Sequence, residues 1–214
     1  MSETTAPTDA DKRRISRVMI IGAGLIGASI GCALSTSGYV VHLRDHKISH
    51  AKVAAGLGAG TLDPPVSADV ALVVVAVPPG AIPDLVVHSL QVYPNATVTD
   101  VDSVKAGVLD TLWQRDVDLS RYVGSHPMAG SHHSGPVTAH SDLFADRTWV
   151  VTPHRRSASE SVELVRAAVR ACQAREMIMD VDDHDAAVAR VSHLPHLMSV
   201  LIAGRLTAIP EGDL

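Results

Sequence analysis

Apolar and polar positions fall into short runs whose period keeps switching between two residues and three to four. Residues 17–21 (RVMII) and 39–43 (YVVHL) are β-rich apolar runs, and between them 28–37 has helical spacing closed by Gly38. Residues 49–56 are predicted helical. The run 70–77 (VALVVVAV), bounded by Asp69 and Pro78, suits a strand buried on both faces. A helix over 82–90 and a strand over 96–99 follow, then a helix over 103–113 with Ser103 as its N-cap. Strands are predicted at 122–124 and 148–151. An amphipathic helix at 159–174 carries Val162, Val165, Val169 and Cys172 on one stripe, and 176–179 closes the series as a strand. From Asp182 onward the chain reads as one long helix, capped by Asp182 or Asp183 and kinked at Pro195, which cannot donate a helix hydrogen bond.

This alternation predicts an α/β chain, with a Rossmann-like, doubly wound, mostly parallel sheet followed by the start of an all-helical domain. The polar residues 1–14 read as a disordered tail, 15–180 as a dinucleotide-binding domain, and 181–214 as the first helix of a helical dimerisation and substrate domain cut short. Residues 18–41 carry no charged residue over 24 positions, long enough to span a membrane. Gly22, Gly24, Gly27, Gly31 and Gly38 break that run into strand, turn and helix, so no membrane association is expected.

Composition narrows the picture. Of 214 residues 46% are hydrophobic but only 3% aromatic, so the core is aliphatic, as helix-on-sheet packing prefers. A net charge of −5 argues against a nucleic-acid partner. Cys32 and Cys172 are expected as buried free thiols, which fits a cytoplasmic protein.

The first chemical motif is GAGLIG, with Gly22, Gly24 and Gly27 between the first strand and the first helix. Glycine there allows a tight turn, close approach to a pyrophosphate and close helix–strand packing; the helix N-terminus, at Leu25 and Ile26, offers amides to the phosphates. Asp45 lies 23 residues beyond Gly22, where a carboxylate binds the ribose hydroxyls of NAD and repels the extra phosphate of NADP. Arg44, His46 and Lys47 stand beside it. Val77 and Pro78, at the end of the third strand, complete the expected cofactor set.

Three further segments follow in order: TDVDSVK (99–105), GSHPMAGSHHSG (124–135) with Leu143–Phe144, and HDAAVARVSHLPH (184–196). Together with the glycine loop they resemble the prephenate and arogenate dehydrogenases of tyrosine biosynthesis, over about residues 17–206. The resemblance implies NAD-dependent oxidative decarboxylation of a small-molecule substrate by a monofunctional homodimer. It makes His126 the base that takes the ring hydroxyl proton, with Ser103 as its partner. It places Ser131, His132, His193 and His196 against substrate, His132 standing where well-known members carry glutamate. Lys105 is expected to face either solvent or the substrate carboxylates, and His133 solvent. Asp102 stands where members often have glycine. In the family a substrate-binding arginine lies on a later helix; Arg147, Arg190 and Arg205 match no motif for that role.

Other readings remain at this stage. The pair His193/His196 has metal-ligand spacing but no obvious third ligand, and no metal is expected. His184–Asp185 is similar to the His-Asp pair of metal-dependent phosphohydrolases, which need further histidines and aspartates at other spacings. Arogenate could replace prephenate as substrate. A chain lacking its dimer domain could also be a nucleotide-binding remnant without turnover.

Overall fold

The computed structural model describes residues 16–130 and 135–206. Four strands, β1 (Arg17–Ile21), β2 (Val40–Arg44), β3 (Leu72–Val75) and β4 (Thr97–Asp100), form a parallel sheet in the order β2-β1-β3-β4. Its connections run through α1 (Leu25–Thr36), α2 (Ile48–Gly56) and α3 (Ile82–Val92), and α4 (Ala106–Trp113) follows β4. Alternation along the strands divides the core in two. Val18, Ile20, Leu72 and Val74 pack on one face with Ile30 and Leu34 of α1. Met19, Ile21, Val73 and Val75 pack on the other with Ile82, Val86 and Leu90 of α3. Both faces are covered, which is why β3 reads as an unbroken apolar run. The uncharged stretch 18–41 is strand, turn, helix and the start of β2, as its glycines suggested.

β5 (Gly124–Pro127), β6 (Thr148–Thr152) and β7 (Arg175–Ile178) form a second sheet in the order β5-β6-β7, joined to the edge of the first just before β5. Tyr122 bridges Val98 in parallel, and the Val123 N–H donates to the Val98 carbonyl at 3.0 Å. β5 therefore overlaps the expected segment 122–124 at Gly124 and runs on to Pro127, while Tyr122 forms only the bridge. β6 and β7 are parallel, joined by the crossover helix α5 (Ser159–Ala171), whereas β5 and β6 run antiparallel. No α-helix lies between β5 and β6 among the described residues, so nothing there returns the chain to the same end of the sheet. Cys32 and Cys172 are free and buried.

Two helix starts differ from the expectation. α4 begins at Ala106 and is not capped by Ser103. The Asp185 carboxylate, some 80 residues later, accepts the N–H groups of Lys105 and Ala106, both at 2.9 Å. This long-range carboxylate does the work of a local cap. α6 (Val181–Val188) is capped by Asp180, which accepts the Asp182 N–H at 2.9 Å, rather than by Asp182 or Asp183. A π-helical turn, Ala189–His193, leads into α7 (Leu194–Leu206). The Leu194 N–H reaches back to the Ala189 carbonyl, so the irregularity expected at Pro195 falls in the turn just before it. The 25 residues Val181–Arg205 are long and apolar enough to cross a membrane by length and composition, and expose Leu194, Leu197, Leu201 and Ile202.

Candidate active site

The carboxyl ends of the parallel strands share one edge of the sheet, and the expected cofactor residues meet there. The order β2-β1-β3 reverses direction at β1, which opens a crevice beyond that strand. A cleft of about 590 Å³ occupies it, lined by Ile21, Gly22, Arg44, Asp45, Val77 and Pro78 among others. Gly22 has φ of +100°, and a side chain there would begin 2.1 Å from the Ala76 carbonyl oxygen. At Gly27 an added Cβ would lie 1.9 Å from the Gly22 oxygen, whereas at Gly24 it would meet nothing within 4 Å. The loop is thus closed behind Gly22 and Gly27 and open in front of Gly24. No side chain caps α1, so its first turn at Leu25 and Ile26 presents backbone donors to that open side. Asp45 is locked to the loop: its Oδ2 accepts the Ala23 N–H and its Oδ1 the Lys47 N–H, each at 2.7 Å. These residues fit a dinucleotide.

A second cluster lies at the far side of the same edge. His126 is half-buried, the third residue of β5. Its Nδ1 is 3.0 Å from Nε2 of His184, whose Nδ1 is 2.8 Å from Oδ1 of Asp185. His184 is fully buried, its ring edge-on to that of His126 with centroids 5.2 Å apart. Burial alone would make the Asp185 carboxyl harder to ionise. The N–H groups of Lys105 and Ala106 and the His184 ring outweigh it and hold the group below its usual range.

Beneath β5 is a buried ionic network. Lys105 is only 2% exposed, its ammonium paired with Asp100 and donating to the Ser125 carbonyl at 2.9 Å. Expected to face solvent or the substrate carboxylates, it is shut off from solvent, and its ammonium neutralises Asp100, which without it would be an unpaired buried charge. The Tyr122 hydroxyl donates to the other Asp100 oxygen at 2.7 Å; burial and that charge hold it protonated far above its ordinary range. The network grips the peptide that carries His126.

Ser103 sits half-buried in the loop between β4 and α4, its N–H donating to Asp102 at 2.8 Å. Its hydroxyl makes no hydrogen bond among the described residues. Burial raises the Asp102 carboxyl above the usual range, partly offset by the Ser103 N–H. Ser131, His132 and His133 lie outside the described residues, as do the side chains of His193 and His196. On the backbone, His193 ends the π turn and His196 lies in the first turn of α7. Arg147, Arg190 and Arg205 are exposed.

The sequence patterns did not single out His184 and Asp185 for this corner. Their signal was a His-Asp pair opening a helix directly after the last strand, on the side where strand ends collect ligands.

Comparison with known proteins accords with this layout. Residues 30–178 match the family model described as prephenate dehydrogenase, nucleotide-binding domain. A Streptomyces niveus protein named "Probable prephenate dehydrogenase NovF" is 34% identical over 197 residues, covering 92% of this chain and 54% of its own. A crystal structure of prephenate dehydrogenase from A. aeolicus in complex with hydroxyphenyl propionate and NAD+ superposes with a TM-score of 0.80 at 26% identity, covering 93% of this chain and 72% of that one. The Synechocystis arogenate dehydrogenase structure superposes with a TM-score of 0.76 at 26% identity, covering 92% and 71%. The chain spans about half the length of the curated prephenate dehydrogenases it matches. With a nucleotide cleft and a buttressed histidine on one sheet edge, the chain belongs to the prephenate dehydrogenase family, carrying that family's nucleotide-binding domain.

Proposed function

We propose that this chain is the nucleotide-binding part of a cytoplasmic, homodimeric, NAD-dependent prephenate dehydrogenase. The observation carrying this reading is His126, held at the carboxyl end of β5 by side chains behind it, on the same sheet edge as the glycine-loop cleft. NAD is favoured over NADP because the buried Asp45 carboxylate would repel a 2′-phosphate.

Bound NAD supplies the hydride acceptor. His126 takes the proton of the ring hydroxyl as hydride leaves the carbon that bears it, and the O–H electron pair becomes the new C=O bond. Loss of the ring carboxylate as carbon dioxide returns its bonding pair to the ring, which becomes aromatic as the oxygen regains a proton. The substrate side of the site is assigned to Ser103, Ser131, His132, His193 and His196. Lys105, bound to Asp100, holds the backbone instead.

Purified protein mixed with prephenate and NAD is expected to generate NADH absorbance. Absence of turnover with both prephenate and arogenate overturns the reading. Arogenate is the second reading, because the Synechocystis neighbour is an arogenate dehydrogenase. The ratio of kcat/KM values for the two substrates decides between them.

A further inference from the structure

Asp185 settles the protons of its neighbours by elimination. Its carboxylate faces the N–H groups of Lys105 and Ala106, both pure donors, so it is an acceptor on this side. The His184 nitrogen 2.8 Å away must then carry a proton. A neutral imidazole has only one, so Nε2 of His184 holds a lone pair. The His126 Nδ1 that lies 3.0 Å from it must be the donor, which leaves Nε2 of His126 as the unprotonated, basic nitrogen.

We infer that Asp185 and His184 are positioning residues that fix His126 in the tautomer with a basic Nε2 and stabilise the imidazolium formed when the substrate proton arrives. This inference rests on the reading of His126 as the base. The proton stops at Nε2 of His126, and none moves on to His184 or Asp185. The pair gives α6 a chemical task beyond packing, because consecutive residues of that helix, His184 and Asp185, supply it. Other charged or titratable groups around this corner are Asp100 at the end of β4, Asp102 in the loop after it, Lys105 and Tyr122. Asp100 and Lys105 neutralise each other beneath the strand. Asp185 is thus the carboxylate hydrogen-bonded to the ring behind His126.

The test reads tautomers directly. In the resting protein labelled with nitrogen-15, His126 is expected to show a protonated Nδ1 and a bare Nε2. The reverse pattern, which a doubly protonated His184 would produce, overturns the inference. Asp185→Asn removes the negative charge behind His184 and sets its amide N–H against either the Ala106 N–H or the Lys105 N–H and His184. kcat is then expected to fall on the order of 10³-fold, with KM and NAD affinity within about two-fold. Because Asp185 also caps α4, a second variant leaves the cap alone. In His184→Gln the amide oxygen still accepts from His126, but the carboxylate behind it is disconnected. The acid limb of the kcat/KM profile is expected to move about one pH unit lower. A profile that keeps its midpoint while kcat falls means His184 only packs, and overturns the inference. If the wild-type protein turns over neither substrate, the proposed function fails while the nitrogen spectrum still decides on the relay.

Discussion

The two ends of the sheet edge reach function by opposite means. The nucleotide cleft is made by leaving atoms out: Gly22, Gly24 and Gly27 bring backbone to within a few ångströms of backbone or leave a ligand room. The histidine corner is made by putting charges in: Asp100, Lys105 and His184 are buried polar groups, each satisfied by another. The first region should be sensitive to an added methyl group. The second should be sensitive to a removed partner.

The largest effect is expected at His126. His126→Asn should lower kcat about 10³-fold and leave the dissociation constant of NAD within about two-fold, measured by steady-state kinetics and calorimetry. Weakened NAD binding of similar size would join the two regions into one and end the contrast.

Lys105→Met comes next, because it strands Asp100 without a counter-charge. It should cost about 3–5 kcal/mol in urea unfolding, and the double variant Asp100→Asn/Lys105→Met should recover part of that loss. A single variant as stable as the wild type would show that the pair does not brace the strand.

The glycines give a sharper pair. Gly27→Ala forces Cβ against the Gly22 oxygen and should destabilise by about 1–3 kcal/mol. Gly24 has φ of −75°, which alanine accepts, and no protein atom stands in the way. Gly24→Ala should therefore change stability by less than about 0.5 kcal/mol while weakening NAD roughly ten-fold. Equal affinity losses without a stability difference would contradict the geometry.

The smallest effect is a pH dependence. The folded Asp185 carboxyl titrates below its ordinary value of 3.8, so its stabilising contribution is complete above that value and disappears as pH falls through the lower, folded one. The stability gap between wild type and Asp185→Asn should narrow accordingly toward acid pH. A gap that is constant with pH would show that only the shape of the residue matters.

What the sequence revealed follows the same division. The glycine loop, Asp45 and the apolar strands were legible because each depends on local spacing or alternation. The start of α4 was not, since Ser103 has the right chemistry for a cap but the carboxylate that fills the role arrives from Asp185. Lys105 could not be oriented, because its partner Asp100 reads as one acidic residue among two in TDVDSVK. Asp180 lost out to Asp182 and Asp183 for a related reason: four aspartates within six residues give no preference among candidate caps. His126 was found through family resemblance. The residues behind it became visible only once α6 was laid against β5 and the loop before α4.

The π turn at Ala189–His193 has a consequence for the helix beyond it. One extra residue in a helical circuit advances everything downstream by about 100° around the axis. α6 and α7 are therefore two angular phases of one rod. The first phase is indexed to the sheet through Asp185, and the second points its exposed leucines wherever the inserted residue sends them. Deleting one residue from that turn would leave the rod its length almost unchanged and dial its far end to a different compass bearing.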